Sequence, residues 1–519
     1  MTRRRNTISL LNAFNDAKAD YDAAKENRYV PRLSGVDPAG SGHSYHIRNE
    51  REFLKIIERS RDLERNDLII GSALKRLVAN IVQDGFSLDP QTGDNGLDED
   101  IKAKFQDWGS DPDQCHSEGE LDFHTIERLT LLSILRDGDM IHLPLKSGAL
   151  QCVEAHRLRT PTNTTRNVVH GVMMNKKAQR TEYWISKEDL GLRETLQRVT
   201  DVQRYPARDS QGNRAVFHCY LPDRFSQRRG ISALAPVVIP AGIHGDLQFS
   251  ALVKQQVASL IAIFREQAAG TEDLPFDTPL GPTTEVSEDG SIREIEGLAA
   301  GLDITGRPGQ KLQGFSPNIP SPQYFEHVMM ILRFIGANLD LPAAVMLLDP
   351  SDSNFSSWRG SIDQARIRFR QFQCDLRQKF HSPVYKWKMR QWLASDSALQ
   401  RAAKRGGIEI FRHVWNPPSW AYIEPLTDAK ADDWQQQALL NSPRRIQAAR
   451  GRDYTTVASE IVEDNKLMLM KALEAAADLN RQFPEANITW REMLSLSQKD
   501  RLSFDSEPEP VAIAAQSGR

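Results

Sequence analysis

The chain has 519 residues, 40% hydrophobic and 26% charged, which is sequence enough for about three or four average domains with buried cores. Its 66 Lys and Arg against 69 Asp and Glu leave a formal net charge of −3. That balance excludes a protein that grips nucleic acid over its whole surface, which would carry a basic excess.

The opening MTRRRNTISLLNAFNDA is basic, then mildly amphipathic. Its apolar stretch is too short for a secretory signal, so the chain is expected to be made and kept in the cytoplasm. No apolar run approaches the ~20 residues that cross a bilayer. Cys115, Cys152, Cys219 and Cys374 form no C-x-x-C pair and read as reduced thiols, not as a zinc knuckle or a disulfide framework.

Residues 1–47 read as an N-terminal arm. Leu54, Ile57 and Leu63 then mark one helix; Ile70, Leu74, Leu77, Val78 and Ile81 mark a second that stops at Gly85. A further helix is expected around Phe123–Leu135. From Asp137 to Phe217, short segments rich in β-branched and aromatic residues, punctuated by Gly, Pro and Asn, predict strands. Residues 241–267 predict the longest helix of the first half, about 40 Å at 1.5 Å per residue. Prolines and glycines through 268–320 allow only short strands such as SIREIEGL.

Beyond them, Phe325, Val328, Met329, Leu332 and Ile335 repeat on one helical face. The loop LPAAVMLLDPSDSNFS follows, and Ser356 or Ser357 is expected to cap the helix that runs to Phe380. Trp358, Ile362, Ala365, Phe369, Phe372 and Leu376 form the apolar seam of that helix, with Arg359, Arg366, Arg370 and Arg377 expected on the opposite face. The arginines have two readings: a solvated face, or contacts to acidic groups of a neighbouring subunit or to DNA phosphate. After Pro425 the chain becomes helical and Ala-rich, with Ser442-Pro443 opening a short helix that Gly451 closes. The tail from Leu502 reads as disordered.

No catalytic, cofactor or metal site is expected. Gly306-Arg-Pro-Gly309-Gln-Lys311 lacks the spacing of an ATP-binding loop, and neither H-E-x-x-H nor a usable G-x-S-x-G occurs. The histidines do not cluster at metal-ligand spacing; His142, His156 and His218 read as hydrogen-bonded structural residues. Asp98-Glu99-Asp100 reads as a solvated loop.

Several strings, in order along nearly the whole chain, resemble portal proteins of the lambda type. They are Arg61-Asp-Leu-Glu-Arg-Asn66, Asn80-Ile-Val-Gln-Asp-Gly85, Trp108 with Asp111-Pro-Asp-Gln-Cys115, Arg136-Asp-Gly-Asp139, Val153-Glu-Ala-His-Arg-Leu-Arg-Thr-Pro161 and His170-Gly-Val172 up to Glu182-Tyr-Trp184. Three later blocks are the most telling: Arg228-Arg-Gly-Ile-Ser-Ala-Leu-Ala-Pro236, Asp349-Pro-Ser-Asp-Ser-Asn-Phe-Ser-Ser-Trp-Arg359, and Trp415-Asn-Pro-Pro418 with Ile423-Glu-Pro425 and Arg450-Gly-Arg-Asp453. Phe355 stands where the pattern usually has Tyr, Trp358 where a small residue is usual, and Gln310 where an acid is usual.

The resemblance implies an α+β, mainly helical portal fold that forms a ring, normally a dodecamer, at one capsid vertex. It implies a wing over 48–240, a first stem helix at 241–267, a clip at 268–320 and a second stem helix at 321–341. A tunnel loop would occupy 342–357, its helix and the return to the wing 358–425, crown helices 426–485 and a C-terminal tail 486–519. Asp349, Ser351, Asp352, Ser353, Asn354 and Phe355 would meet the DNA channel, backed by Trp358, Arg359, Arg366 and Arg370. The implied partners are further copies of the chain, the terminase large subunit, major capsid and scaffold proteins, head-completion or adaptor proteins and the double-stranded DNA, with no membrane. The ring would be assembled in the host cytoplasm, reside in the virion and have no enzymatic activity. The rival reading, a terminase-like or nuclease packaging enzyme, needs an ATP loop or a carboxylate–metal cluster.

Overall fold

The computed structural model describes residues 50–161, 168–187, 201–225, 227–265, 283–286, 292–295, 302–305, 322–351, 354–420, 425–450, 454–483 and 488–491, with Arg452 and Glu485. The predicted arm, Gly451, the tail beyond 491 and most of 268–320 lie outside the described residues. The fold is mainly helical and divides into two units, Met1–Gly85 with Pro90–His413, and Phe86–Asp89 with Val414–Arg519.

In the first unit, α1 (Glu50–Asn66) and α2 (Leu68–Val82) are separated by Asp67. Its carboxylate accepts from the amides of Ile69 and Ile70 at 2.9 Å each, so one helix stops where the next is capped. The face predicted for α2 is buried, while Leu63 of α1 is only half-buried. The strand β1 (Ser87–Pro90) belongs largely to the second unit. Asp94, Asp111 and Asp122 then cap α3 (Asn95–Ser110), α4 (Pro112–Cys115) and α5 (Phe123–Asp137). Asp98-Glu99-Asp100 therefore lies in α3 and not in a loop, because Asp94 starts the helix ahead of it; Asp98 accepts from the Thr92 amide and hydroxyl at 3.0 and 2.6 Å.

The β region forms two antiparallel sheets. One orders β3 (Leu150–Glu154), β2 (Asp139–Pro144) and β8 (Phe217–Tyr220); the other is a meander of β4 (Val168–Val169), β5 (Val172–Met174), β6 (Arg180–Ser186) and β7 (Val202–Pro206). His170 and Gly171, at φ 51° and 74°, make the tight turn between β4 and β5. Ile141, Val153, Leu158, Val172, Tyr183 and Ile185 join the sheets in one core.

Helix α6 spans Val238–Leu260. The expected continuation to 267 is a strand instead, β9 (Ile261–Arg265), which pairs in parallel with β12 (Leu302–Thr305); a β-branched run with a pairing partner overrides its place at a helix end. Between them β10 (Thr283–Val286) pairs antiparallel with β11 (Ile292–Ile295). Helix α7 (Pro322–Asn338) packs on α6. Next come α8 (Ala343–Leu347), α9 (Phe355–Leu376), a π turn at Arg377–His381, α10 (Ser382–Ser395) and α11 (Ser397–Ala403). The second unit pairs β1 with β13 (His413–Asn416) and holds α12 (Pro425–Gln437), α13 (Pro443–Ala449) and α14 (Tyr454–Gln482). Ser442 caps α13 as expected, and Arg450 ends it.

One buried guanidinium ties the first unit together. Arg229 Nε donates to Asp139 Oδ2, and Nη2 donates to Asp139 Oδ1 at 2.9 Å and to the Ala155 carbonyl at 2.7 Å. Its Nη1 donates to the carbonyls of Leu158 at 3.2 Å and His170 at 3.0 Å. All five N–H donors of the side chain are thereby used, and the charge lies 4.6 Å from the Phe53 ring centroid. Gly138 and Gly230 let the two strands of chain meet: a Cβ on Gly230 would lie 1.8 Å from the Gly138 carbonyl oxygen. Beside this pair Asp137 receives Arg61 and Arg136, and Arg136 also bonds Glu64 at 2.9 Å. Burial pushes the Asp139 carboxyl up, but Arg229 and His218 outweigh it and hold the group below the usual carboxylate range.

Two histidines are fixed as neutral tautomers. Arg180 donates to His218 Nδ1 at 3.2 Å, so His218 Nε2–H donates to Asp139 at 3.0 Å. The Thr130 hydroxyl proton is committed to the Ile126 carbonyl at 2.6 Å, so its oxygen accepts from His142 Nε2–H at 2.9 Å. His142 Nδ1 then accepts the Cys152 thiol at 3.4 Å. Burial lowers His142 to about 3 and His218 to about 4.

Replacing Arg229 with Lys, which has three donors and no planar fork, is expected to cost on the order of the roughly 3–5 kcal/mol of a broken buried pair, read as a lowered denaturation midpoint. An unchanged midpoint would show that the network is not a keystone. The histidines predict a pH effect: between pH 6.5 and 5 the unfolded chain takes up protons that buried His142 and His218 refuse, so stability present above pH 6.5 is lost on acidification. Each histidine should contribute a slope approaching about 1.4 kcal/mol per pH unit. His142→Gln should remove its share in chemical denaturation at a series of pH values; parallel curves for variant and wild type would sink the assignment.

Candidate functional site

The predicted site lies between α7 and α9, and its base is built from close backbone packing. The Leu341 amide donates to the Gly336 carbonyl at 2.9 Å, and a Cβ on Gly336 would lie 2.6 Å from the Leu341 carbonyl oxygen. Leu339, Leu341 and Met346 are buried. The stretch after Pro342, expected as open loop, contains α8: Pro342, with φ −57°, pre-sets the helix start, and α8, with Met346 fully buried, packs against α2. Arg76 of α2 donates to the Met346 carbonyl. Leu348 closes α8 at φ 55° and leaves its side chain exposed.

The tip is polar. Asp349 Oδ1 accepts the Ser351 amide at 3.0 Å and the Ser351 hydroxyl, and these bonds hold the carboxyl below its ordinary range. Asp352 and Ser353 lie outside the described residues. Asn354, and not Ser356 or Ser357, caps α9 by accepting the Ser357 amide at 2.8 Å. The preference of Asn for the cap position was the available signal. Phe355 is exposed, with its ring 6.4 Å from that of Trp358.

Along α9 the seam is seated at Ala365, Phe369, Phe372 and Leu376, while Trp358 and Ile362 are half-buried. Arg359, Arg366 and Arg370 do not lie opposite it: at 3.6 residues per turn they sit about 100° round the helix from the seam. Arg359 and Arg366 are accordingly half-buried, Arg366 lying 3.5 Å from Asp363, and only Arg370 of the three is exposed. Two anchors were missed in the sequence because both residues are polar. Buried Gln373 donates to the Ile81 carbonyl of α2 at 2.9 Å, and Arg368 pairs with Asp340 at 3.1 Å while covering the Phe372 ring. The arrangement is fixed at both ends and carries acids and hydroxyls, with no cation from Asp349 to Asn354. It suits steric contact with a polyanion better than capture of one. Among the described residues no group of three or more His, Cys, Asp or Glu could hold a metal ion, and no helix is long and apolar enough to cross a membrane.

The model of the phage portal proteins of the lambda family matches residues 30–373, from before α1 through the Arg229 network and most of α9. The chain belongs to the lambda family of phage portal proteins. As a portal protein it is a subunit of a homo-oligomeric ring in a virion-like particle. It is 23% identical over 380 residues to a probable portal protein of Halomonas phage phiHAP-1, covering 70% of this chain and 69% of that one. A chain of the virion of a native gene transfer agent particle is similar at 12% identity and a TM-score of 0.39, over 80% of this portal chain and 96% of that chain. One from the neck of an empty particle of the same kind has 13% identity and a TM-score of 0.39, over 76% and 93%.

Asn354→Ala should weaken the start of α9 by about 0.5–2 kcal/mol, the usual worth of a side-chain cap. Hydrogen exchange at the amides of 355–358 should quicken while the helix from Ala365 onward stays protected. Unchanged exchange at Ser357 would show that the cap is not what holds the site's second end.

Proposed function

We propose that the ring conducts double-stranded DNA into and out of a capsid, and that residues 342–357 are its tunnel loop. The observation that carries this reading is the contrast within one short segment. Met346, Leu341 and Gln373 fasten its flanks, while Leu348 to Ser351, Asn354 and Phe355 stand exposed and the tip has acids but no cation. Retained phosphate contacts would resist movement of the duplex, so a channel element should touch DNA without binding it. On this reading Trp358, Arg359, Arg366 and Arg370 of α9 back the loop in the channel wall, and Asp349, Ser351, Asp352, Ser353, Asn354 and Phe355 face the duplex.

Helices α6 and α7 would be the stem. Phe249, Leu252, Phe325 and Phe334 are more than half exposed on them, and neighbouring subunits in a ring of twelve would cover these side chains. Residues 48–240 would be the wing, 268–320 the clip that docks the terminase large subunit and later the head-completion proteins, and 426–485 the crown. Major capsid and scaffold proteins would surround the ring during assembly in the host cytoplasm. The portal would act without catalysis, as a passage and a docking platform.

Deleting Ser351 to Asn354 should leave rings of normal size but lower packaging or retention of DNA, measured as packaged genome length and particle yield. Failure to form rings, or unchanged packaging, would overturn the tunnel-loop assignment.

A further inference from the structure

Helix α14 is 29 residues long, yet Ala472 and Ala476 are its only buried residues. At 3.6 residues per turn, Ile461, Met468, Leu469 and Leu473 fall with those alanines on one arc roughly 140° wide. All four larger side chains are between 38% and 54% exposed. The short α13 packs on α14, but it leaves the rest of the arc open. A helix with so little cover depends on an outside partner, since tertiary packing and not propensity supplies most helical stability.

The charges at the edges of the arc point to the occupant. Lys466 lies just beyond Leu473 on one side; on the other Asp464 lies just before Met468, with Lys471 seven positions further along the same edge, and Lys466 and Asp464 are both exposed. They differ by two positions, so they stand within about 3 Å of the same height along the helix. Copies related by pure rotation have no axial shift, and a heterologous contact sets one edge of a subunit against the other edge of the next. In a ring of parallel α14 helices the apolar arcs meet side by side and opposite charges meet at their rim.

We propose that α14 is a subunit–subunit contact of the ring, with the apolar arc covered by the adjacent copy and Lys466 of each subunit paired with Asp464 of its neighbour. The proposal rests on the portal reading, because it needs a rotationally symmetric assembly. Polar side chains on the rest of the helix, Glu460, Glu463, Glu474 and Asp478 among them, face away from the arc and stay solvated.

The test is a charge swap on the full-length chain, followed by light scattering across a dilution series. Lys466→Glu alone and Asp464→Lys alone each set like charges across every contact, and each should raise the concentration at which rings dissociate at least tenfold. The double variant carrying both changes should return to within threefold of wild type. Leu469→Asp should dissociate rings while circular dichroism shows the rest of the chain folded. If both single variants assemble like wild type, or the double variant is no better than the singles, the two edges do not face each other and the proposal fails. That outcome is also the one expected if the chain's own tail or another protein covers the arc. A wild-type chain that stays monomeric would overturn the portal reading together with this one, whereas a wild-type ring with indifferent variants would overturn only the α14 contact.

Discussion

A guanidinium can be buried only if each of its five N–H groups finds an acceptor, and Arg229 meets that demand with groups from separate stretches of chain. Asp139 comes from the strand after α5, the Ala155 and Leu158 carbonyls from the turn after β3, and the His170 carbonyl from a hairpin. Phe53 of α1 covers the charge. None of these acceptors is near Arg229 in sequence. A missing segment would leave the buried charge short of a partner, which is costly, so the network favours the arrangement in which all of them meet.

The same constraint accounts for strings that otherwise look arbitrary. Arg136-Asp-Gly-Asp139 and Arg228-Arg-Gly230 meet face to face, and each supplies a glycine because the backbones approach too closely for a Cβ. Arg61 reaches Asp137 from α1, and His218 is held neutral between Arg180 and Asp139. Charge, backbone approach and tautomer are coupled here. The predicted sensitivity to acid follows from protons that the folded unit has no room to accept.

Outside this network several elements are much less covered. The tip after α8 is exposed, α6 and α7 show large aromatic side chains to solvent, and α14 is nearly bare. On the proposed reading this division of labour has a physical reason: surfaces covered by copies of the same chain need no cover of their own, and a passage for DNA needs contact without attraction.

The sequence by itself determined most of the helices and strands, through apolar periodicity and the Asp, Ser and Pro residues that start helices, and the order of its motif blocks identified the family. It also located the exposed loop, since turn residues between two amphipathic helices leave few alternatives. Only the tertiary structure decided where α6 ends, because β9 exists by virtue of a partner strand some forty positions away. The same holds for α8, which depends on the burial of Met346, and for the place of the arginines of α9 beside the seam and not across from it. Only the fold revealed Gln373, Arg76 and Arg229 as anchors. Periodicity marks which residues are apolar, but a polar side chain becomes an anchor through the acceptor it meets, and that acceptor lies far along the chain.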